Sequence, residues 1–303
     1  MQLFAYKLSA HKLLKYAKTL TGRPLLAAFV CSFSILCGGL SILPAQAQAQ
    51  AQAQESAAPV QVTIAAYEFP PFYSQHMTTH VLGELVTSLN NFQNDYLFSI
   101  RQVPVTARYQ ALLDDGCCDL MMFESPQWGW QQYLQPAHGA ESAIQATRAL
   151  LAGAERLVAK RAENIDFQQL NNIRLGGIRG YHYSFSDELP ETGALESGAG
   201  IYFADSIATN IKLVLSGRLD RMMLSDAYLA SIANTPLAEQ LVWASHADSR
   251  YQLHMLVNEN KAMSVKQLDS LLESLRRSGE WEALLRQFNL NQFELSADTQ
   301  ASQ

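Results

Sequence analysis

Apolar and polar positions alternate in two rhythms along this chain. Val60–Ala66 and Tyr96–Val103 are short runs rich in β-branched and aromatic residues with strand spacing. Val81, Leu82, Leu85, Val86 and Leu89 instead recur on one helical face. Helical spacing also predicts amphipathic helices over Thr106–Asp114 and Ile207–Ser216, and a short helix over Ile165–Leu170. Two closing helices are expected, one lined by Val265, Leu268, Leu271, Leu272 and Leu275, the other by Trp281, Leu284, Leu285 and Phe288. Strands are further expected at Arg148–Ala152 and Glu155–Ala159, broken at Gly153, and at Ile173–Gly180, Leu241–Ala244 and Tyr251–Val257. Strands alternating with helices in this order predict an open α/β sheet.

One pattern occurs twice. Residues 116–122 read Gly-Cys-Cys-Asp-Leu-Met-Met and residues 217–223 read Gly-Arg-Leu-Asp-Arg-Met-Met, each after a predicted amphipathic helix. Gly116 and Gly217 stand where a helix would end in a left-handed cap. Each Asp opens a short apolar strand that ends on a polar pair, Glu124-Ser125 or Ser225-Asp226. Two such units imply two similar α/β lobes, with ligands gathering at the carboxyl ends of the strands. The methionines read as core filling.

Charge and the amino terminus narrow the class. Residues 1–23 carry five bases and no acid, followed by an apolar run from Pro24 to Leu43 and an Ala-Gln-Ala exit at 45–47. This reads as a secretory signal peptide over 1–47, with an uncleaved membrane anchor as the rival, since about 20 apolar residues span a bilayer. The Ala/Gln segment 48–57 is linker. Of 22 Lys+Arg, 17 remain after residue 47 against 28 Asp+Glu, a net charge of −11. That balance argues against nucleic acid or an anionic membrane surface as partner. Cys117 and Cys118 are the only cysteines left, and they read as two small buried apolar residues, since adjacent cysteines bridge each other only with strain. No Cys/His grouping has metal-ligand spacing, so neither metal nor cofactor is expected.

The candidate binding residues lie in loops. Tyr67-Glu68-Phe69-Pro70-Pro71-Phe72 reads as a rigid extended loop after the first strand, with Tyr67 and Phe72 favoured as exposed rings and core pinning as the other reading. Glu124 and Ser125 are followed by Trp128 and Trp130 around Gly129, which line a cleft or pack the lobe. The strand entering Gly176–Gly180 offers free backbone N–H groups, apt for an anion or carbonyl oxygen. Beside it Arg179 is either a clamp or a solvated side chain, and Tyr181 follows. Asp205 or Ser206 is the expected N-cap of the second repeat helix.

In this order the motifs resemble the family 3 extracellular solute-binding proteins of bacteria. They are the Pro-Pro-Phe loop, the two G-x-x-D units, the strand entering a glycine loop at 173–180, and Gly279-Glu280-Trp281. The resemblance covers roughly 58–292. It implies a two-lobed α/β periplasmic binding protein-like (type II) fold with two hinge crossover strands. Lobe 1 would be 58–156 plus 252–296 and lobe 2 157–251, with a loose tail from 297. It implies hinges near 153–158 and 245–252, an aromatic contact from Tyr67 or Phe72, and a ligand amino group received by Asp226. It further implies a periplasmic monomer that delivers a small solute to an inner-membrane transporter permease or receptor. One departure is informative. Amino-acid binders carry Thr-x-x-Arg after the first G-x-x-D strand, where the Arg grips the α-carboxylate, but residues 125–128 read Ser-Pro-Gln-Trp. Losing a guanidinium fork and gaining an indole points to an amine, a cationic or aromatic compound, or a sugar-like solute. Two further readings stay open: a sensing accessory protein acting on a membrane receptor, and a dehydratase-like enzyme using Glu124 as general acid or base.

Overall fold

A computed structural model describes residues 58–135, 142–162, 165–170, 172–183 and 200–295. The expected signal peptide, the Ala/Gln linker and the tail lie outside these residues. No helix among the described residues is long and apolar enough to cross a membrane.

The chain runs β1 (Val60–Ala66), α1 (Val81–Phe92), β2 (Tyr96–Gln102), α2 (Arg108–Leu112), β3 (Leu120–Glu124), α3 (Gln131–Leu134), β4 (Ile144–Ala146) and β5 (Leu151–Lys160). It continues through β6 (Arg174–Ile178), β7 (Gly200–Ala204), α4 (Ile207–Leu215), β8 (Arg221–Ser225), α5 (Asp226–Ile232), α6 (Pro236–Gln240), β9 (Leu241–Trp243), β10 (Ser249–Asn258), α7 (Val265–Ser278) and α8 (Glu280–Gln287). Two sheets result. In the first, β1 lies parallel between β2 and β3, and the end of β10 joins antiparallel to β3 and β4. In the second, β6 lies parallel between β7 and β8, while β5 joins antiparallel to β8 and, at its far end, to β9.

The two long strands stitch the sheets together. Residues 151–155 of β5 pair antiparallel with 249–253 of β10, after which each strand enters a different sheet. The predicted break at Gly153 does not occur, because the strand runs straight through it with the Tyr251 ring laid against the glycine. A Cβ at 153 would stand 2.0 Å from Tyr251 Cε2, so only glycine admits that ring. One apolar core fills the first lobe, with α1, α7 and α8 packed on it through Leu85, Leu272 and Trp281. Two smaller cores flank the second sheet.

The repeated aspartates have a shared structural task. Asp119 Oδ2 accepts the Thr63 N–H of β1 at 2.6 Å, and Asp220 Oδ2 accepts the Arg174 N–H of β6 at 2.7 Å. Each aspartate's own N–H returns a bond to the carbonyl of the same partner residue, at 2.8 and 2.9 Å. The Asp thus locks the strand of its unit to the parallel strand beside it. The four methionines are buried, as their apolar setting predicts.

The glycines of the repeat differ. Gly217 adopts the expected left-handed φ of 74°. Gly116 does not. The α2 helix ends earlier, at Leu112, and Gly116 is required because a Cβ there would lie 2.3 Å from the Gln110 carbonyl oxygen. Cys117 and Cys118, expected as separate buried thiols, are joined in a vicinal disulfide. The Ile165–Leu170 stretch forms a turn instead of a helix. The Arg221 guanidinium beneath it takes up the Asp166 and Gln169 carbonyls, which a continuing helix would need for itself. Among the described residues strand β9 pairs with β5 and so extends the second sheet.

Candidate functional site

Between the sheets, beyond the carboxyl ends of β1, β3 and β6, lies a cavity walled by Tyr67, Phe69, Arg108, Trp128, Glu155 and Tyr181, together with Val105, Gly180 and His182. Its space open to the centre of a water molecule is about 20 Å³, room for roughly one or two waters. The cleft is shut.

The first lobe supplies a buried charge cluster behind an aromatic wall. Glu124, wholly buried at the end of β3, accepts the Tyr67 hydroxyl at 2.6 Å and the Trp130 Nε1–H at 2.8 Å. The Arg108 guanidinium lies 3.6 Å from the same carboxylate and 4.3 Å from the centre of the Tyr109 ring. Burial pushes the Glu124 carboxyl up to about 7, against the pull of Arg108 and of its two hydrogen-bond donors. Arg108 donates to the Val105 carbonyl at 3.0 Å and to the Tyr109 hydroxyl at 2.6 Å, holding the short α2 entry against the cavity. Its buried Nε has no hydrogen-bond partner. The Pro-Pro loop is folded, not extended: Phe69 and Tyr73 exchange backbone bonds of 2.7 and 3.0 Å, which turns Phe69 toward Trp128.

The crossover strands supply the floor. Glu155 on β5 is 7 % exposed and accepts the Tyr251 hydroxyl of β10 at 3.0 Å. Burial raises its carboxyl to about 8; the Tyr251 bond opposes this, and the nearby Asp226 and Asp248 charges add to it. Next along β5, Arg156 forms a two-point ion pair with Asp226, Nε to Oδ1 at 2.5 Å and Nη2 to Oδ2 at 3.1 Å. Trp128 leans edge-on against Tyr251, ring centres 4.7 Å apart.

The second lobe closes the front with Gly180-Tyr181-His182. The Gly180 carbonyl accepts from Arg108 at 2.8 Å, the Tyr181 hydroxyl donates to the Glu68 carbonyl, and His182 Nε2 meets the Tyr109 hydroxyl at 3.0 Å. Gly180 holds a φ of 86°, which turns its carbonyl back toward the first lobe. Burial, helped by the Arg108 charge, lowers the His182 pKa, so the ring is neutral near pH 7.

Of the residues singled out from the sequence, Tyr67, Trp128 and Tyr181 line the cavity. Tyr67 and Phe72, expected as exposed rings, are 6 % and 2 % exposed. Phe72 stacks on Phe123 behind the wall, because the folded loop turns it inward. Glu124, Ser125 and Trp130 stand one layer back, each fully buried. Arg179 lies over the Phe203 ring and lines a neighbouring polar chamber with Glu68 and Asp205. Asp226 is the first residue of α5, which Ser225 caps, and is held by Arg156, away from the cavity wall. Sequence reasoning missed Phe69, Arg108, His182 and Glu155. Glu155 and Arg156 did carry a signal, as the charged pair inside an otherwise apolar strand.

No family model and no curated protein sequence matches this chain. Solved structures do. A substrate-binding protein of an ABC uptake transporter from Streptococcus pneumoniae, with bound histidine, aligns with a TM-score of 0.58 and 13 % identity over 75 % of this chain and 92 % of its own. Tv2483 bound to L-arginine aligns with a TM-score of 0.57 and 17 % identity over 76 % and 92 %. An ancestral amino-acid-binding protein, described as a precursor of cyclohexadienyl dehydratase, aligns with a TM-score of 0.56 and 15 % identity over 76 % and 95 %. At such identities the likeness establishes architecture. The chain is built on the two-lobed type II periplasmic binding fold, the fold of the family 3 solute-binding proteins.

Proposed function

We propose that this is a periplasmic solute-binding protein that captures a small polar solute, cationic or aromatic in character, in the inter-lobe cavity and passes it to an ABC-type transporter. The observation that carries the reading is the cavity itself. It sits at the strand carboxyl ends, is walled by four aromatic rings and a few polar groups, and is closed by bonds from one lobe to the other. A largely apolar pocket with few oriented polar groups is what small-molecule capture needs. The arginine-binding and histidine-binding proteins on the same fold support solute capture. The missing arginine at 125–128 weighs against an ordinary α-amino acid held by that clamp.

The test is thermal unfolding of the exported protein against amines, amino acids, short peptides and sugars. A true ligand stabilises by RT ln(1 + [L]/Kd), about 2.7 kcal/mol at a hundredfold excess over Kd. A flat response in every class overturns the reading. One observation favours an enzymatic alternative: burial brings Glu124 to about 7, the range a general acid needs. Its two oxygens are already taken by Tyr67 and Trp130. A dehydratase role therefore predicts turnover of cyclic carboxylic acids that Glu124→Gln abolishes.

A further inference from the structure

Of Asp226, Glu124 and Glu155, Glu155 is the one that lines this cavity. Asp226, the acid expected to receive a ligand's amino group, is saturated by the two-point pair with Arg156 and does not line the cavity. Glu124 spends one oxygen on Tyr67 and the other on Trp130, with Arg108 beside it, and is sealed from the cavity. Glu155 lines the cavity. One of its oxygens accepts the Tyr251 hydroxyl, and among the described residues no Lys or Arg pairs with it.

The charge balance points the same way. Arg108 faces Glu124, and Arg156 faces Asp226, so each guanidinium already has a carboxylate. Glu155 is the acid left over. Around it stand four aromatic rings: Tyr181 is edge-on to Tyr67 with centres 6.3 Å apart, and Phe69 is edge-on to Trp128 at 5.4 Å. A carboxylate among aromatic rings suits a cation, because ring quadrupoles and carboxylate attract the same charge; of the four rings, Tyr67 already has the Arg108 guanidinium 5.7 Å from its centre.

Resting on the solute-capture reading, we infer that Glu155 of the crossover strand is the acceptor for a ligand ammonium or guanidinium group, standing in for the locked Asp226. The cleft then selects a monocation without needing a carboxylate on it. The position also ties recognition to closure, since Glu155 sits where β5 pairs with β10 and each strand passes from one sheet to the other.

Protons follow the cation. The charged and titratable groups facing Glu155 are Tyr251 and Asp248 on the β10 side, Asp226 on α5, and Tyr181 and Tyr183 after β6, with Arg108 and His182 across the cavity. In the empty cleft this carboxyl is held protonated up to about 8. Cation binding needs it ionised, so each ligand taken up near pH 7 expels about one proton. Affinity then improves up to about tenfold per pH unit between about pH 6 and 8 and levels off above.

The experiment is calorimetry and thermal unfolding of the exported protein with benzylamine, butylamine and butylguanidine, set against benzyl alcohol, benzoate, glutamine and glutamate. Cations are expected to bind with release of about one proton, read from the dependence of the heat on buffer ionisation. Glu155→Gln, which keeps an acceptor for Tyr251, is expected to lose at least tenfold in cation affinity and all of the pH slope. Unchanged cation affinity in that variant overturns the assignment. Binding of anions or neutral compounds without cations also overturns it, while leaving solute capture standing. Silence from every probe removes both.

Discussion

A carboxyl that is neutral when folded and ionised when unfolded makes the folded state less stable as pH rises. For Glu155 the ordinary value is 4.5 and the folded value about 8. The folded state therefore holds the proton longer. Its contribution to stability is full below about pH 4.5 and is lost progressively as pH climbs through 8. Between about pH 5 and pH 8 the difference spans about three units, and at 1.36 kcal/mol per unit this is about 4 kcal/mol as a ceiling. Water entering the cleft lowers that figure. Glu155→Gln is the matched control, because the amide oxygen still accepts from Tyr251 and never ionises. Urea unfolding of ligand-free wild type and variant at about pH 5, 6, 7 and 8 gives the stability gap at each pH. The variant is expected to gain on the wild type by several kcal/mol across the window. A gap that stays constant refutes the reasoning, since it requires Glu155 to be ionised in the folded state throughout the range.

Other expectations follow from single contacts. Gly153→Ala places a methyl 2.0 Å from the Tyr251 ring, and overpacking of this kind costs about 1–3 kcal/mol in urea unfolding; displacing Tyr251 should also weaken ligand binding. Asp119→Ala and Asp220→Ala each remove the side chain that accepts a neighbouring strand's N–H, and each is expected to cost about 1–3 kcal/mol in urea unfolding. Tyr181→Phe deletes a bond to the Glu68 carbonyl across the cleft; small-angle scattering of the ligand-free variant should show a larger mean radius, whereas identical curves would mean that the bond does not hold the lobes together.

Much of the fold could be read from local pattern. Strand β1 falls on the predicted residues because its β-branched run marks it, and α1 shows the expected stripe because one helical face is buried. The elements that escaped are short or depend on distant partners. Strand β7 is absent from the predicted strands because its five residues are too few to show a period until β6 pairs with them. Helices α5 and α6 span 7 and 5 residues, too few to show a period. Gly153 reads as a break because the ring that fills its missing side chain is 98 positions away, at Tyr251. The site was less legible for the same reason. Nothing local separates Trp128 on the wall from Trp130 behind it. That difference arises because Glu124 captures one indole N–H and leaves the other ring beside Tyr251. Asp226 looks available until Arg156 is seen to hold it.

The shut cavity sets a kinetic regime. With space for about one or two waters, this cavity has to widen before it takes a solute of several atoms, so on the proposed reading arrival waits for the front to part. If the protein captures a solute as proposed, capture runs in series behind an internal clock. At low solute concentration the observed rate is proportional to concentration, and at high concentration it saturates at the rate of parting, whatever the solute. The apparent dissociation constant is the intrinsic one divided by the fraction of molecules parted at any instant. Substitutions that break the Gly180, Tyr181 and His182 contacts would therefore change the speed of capture along with its strength.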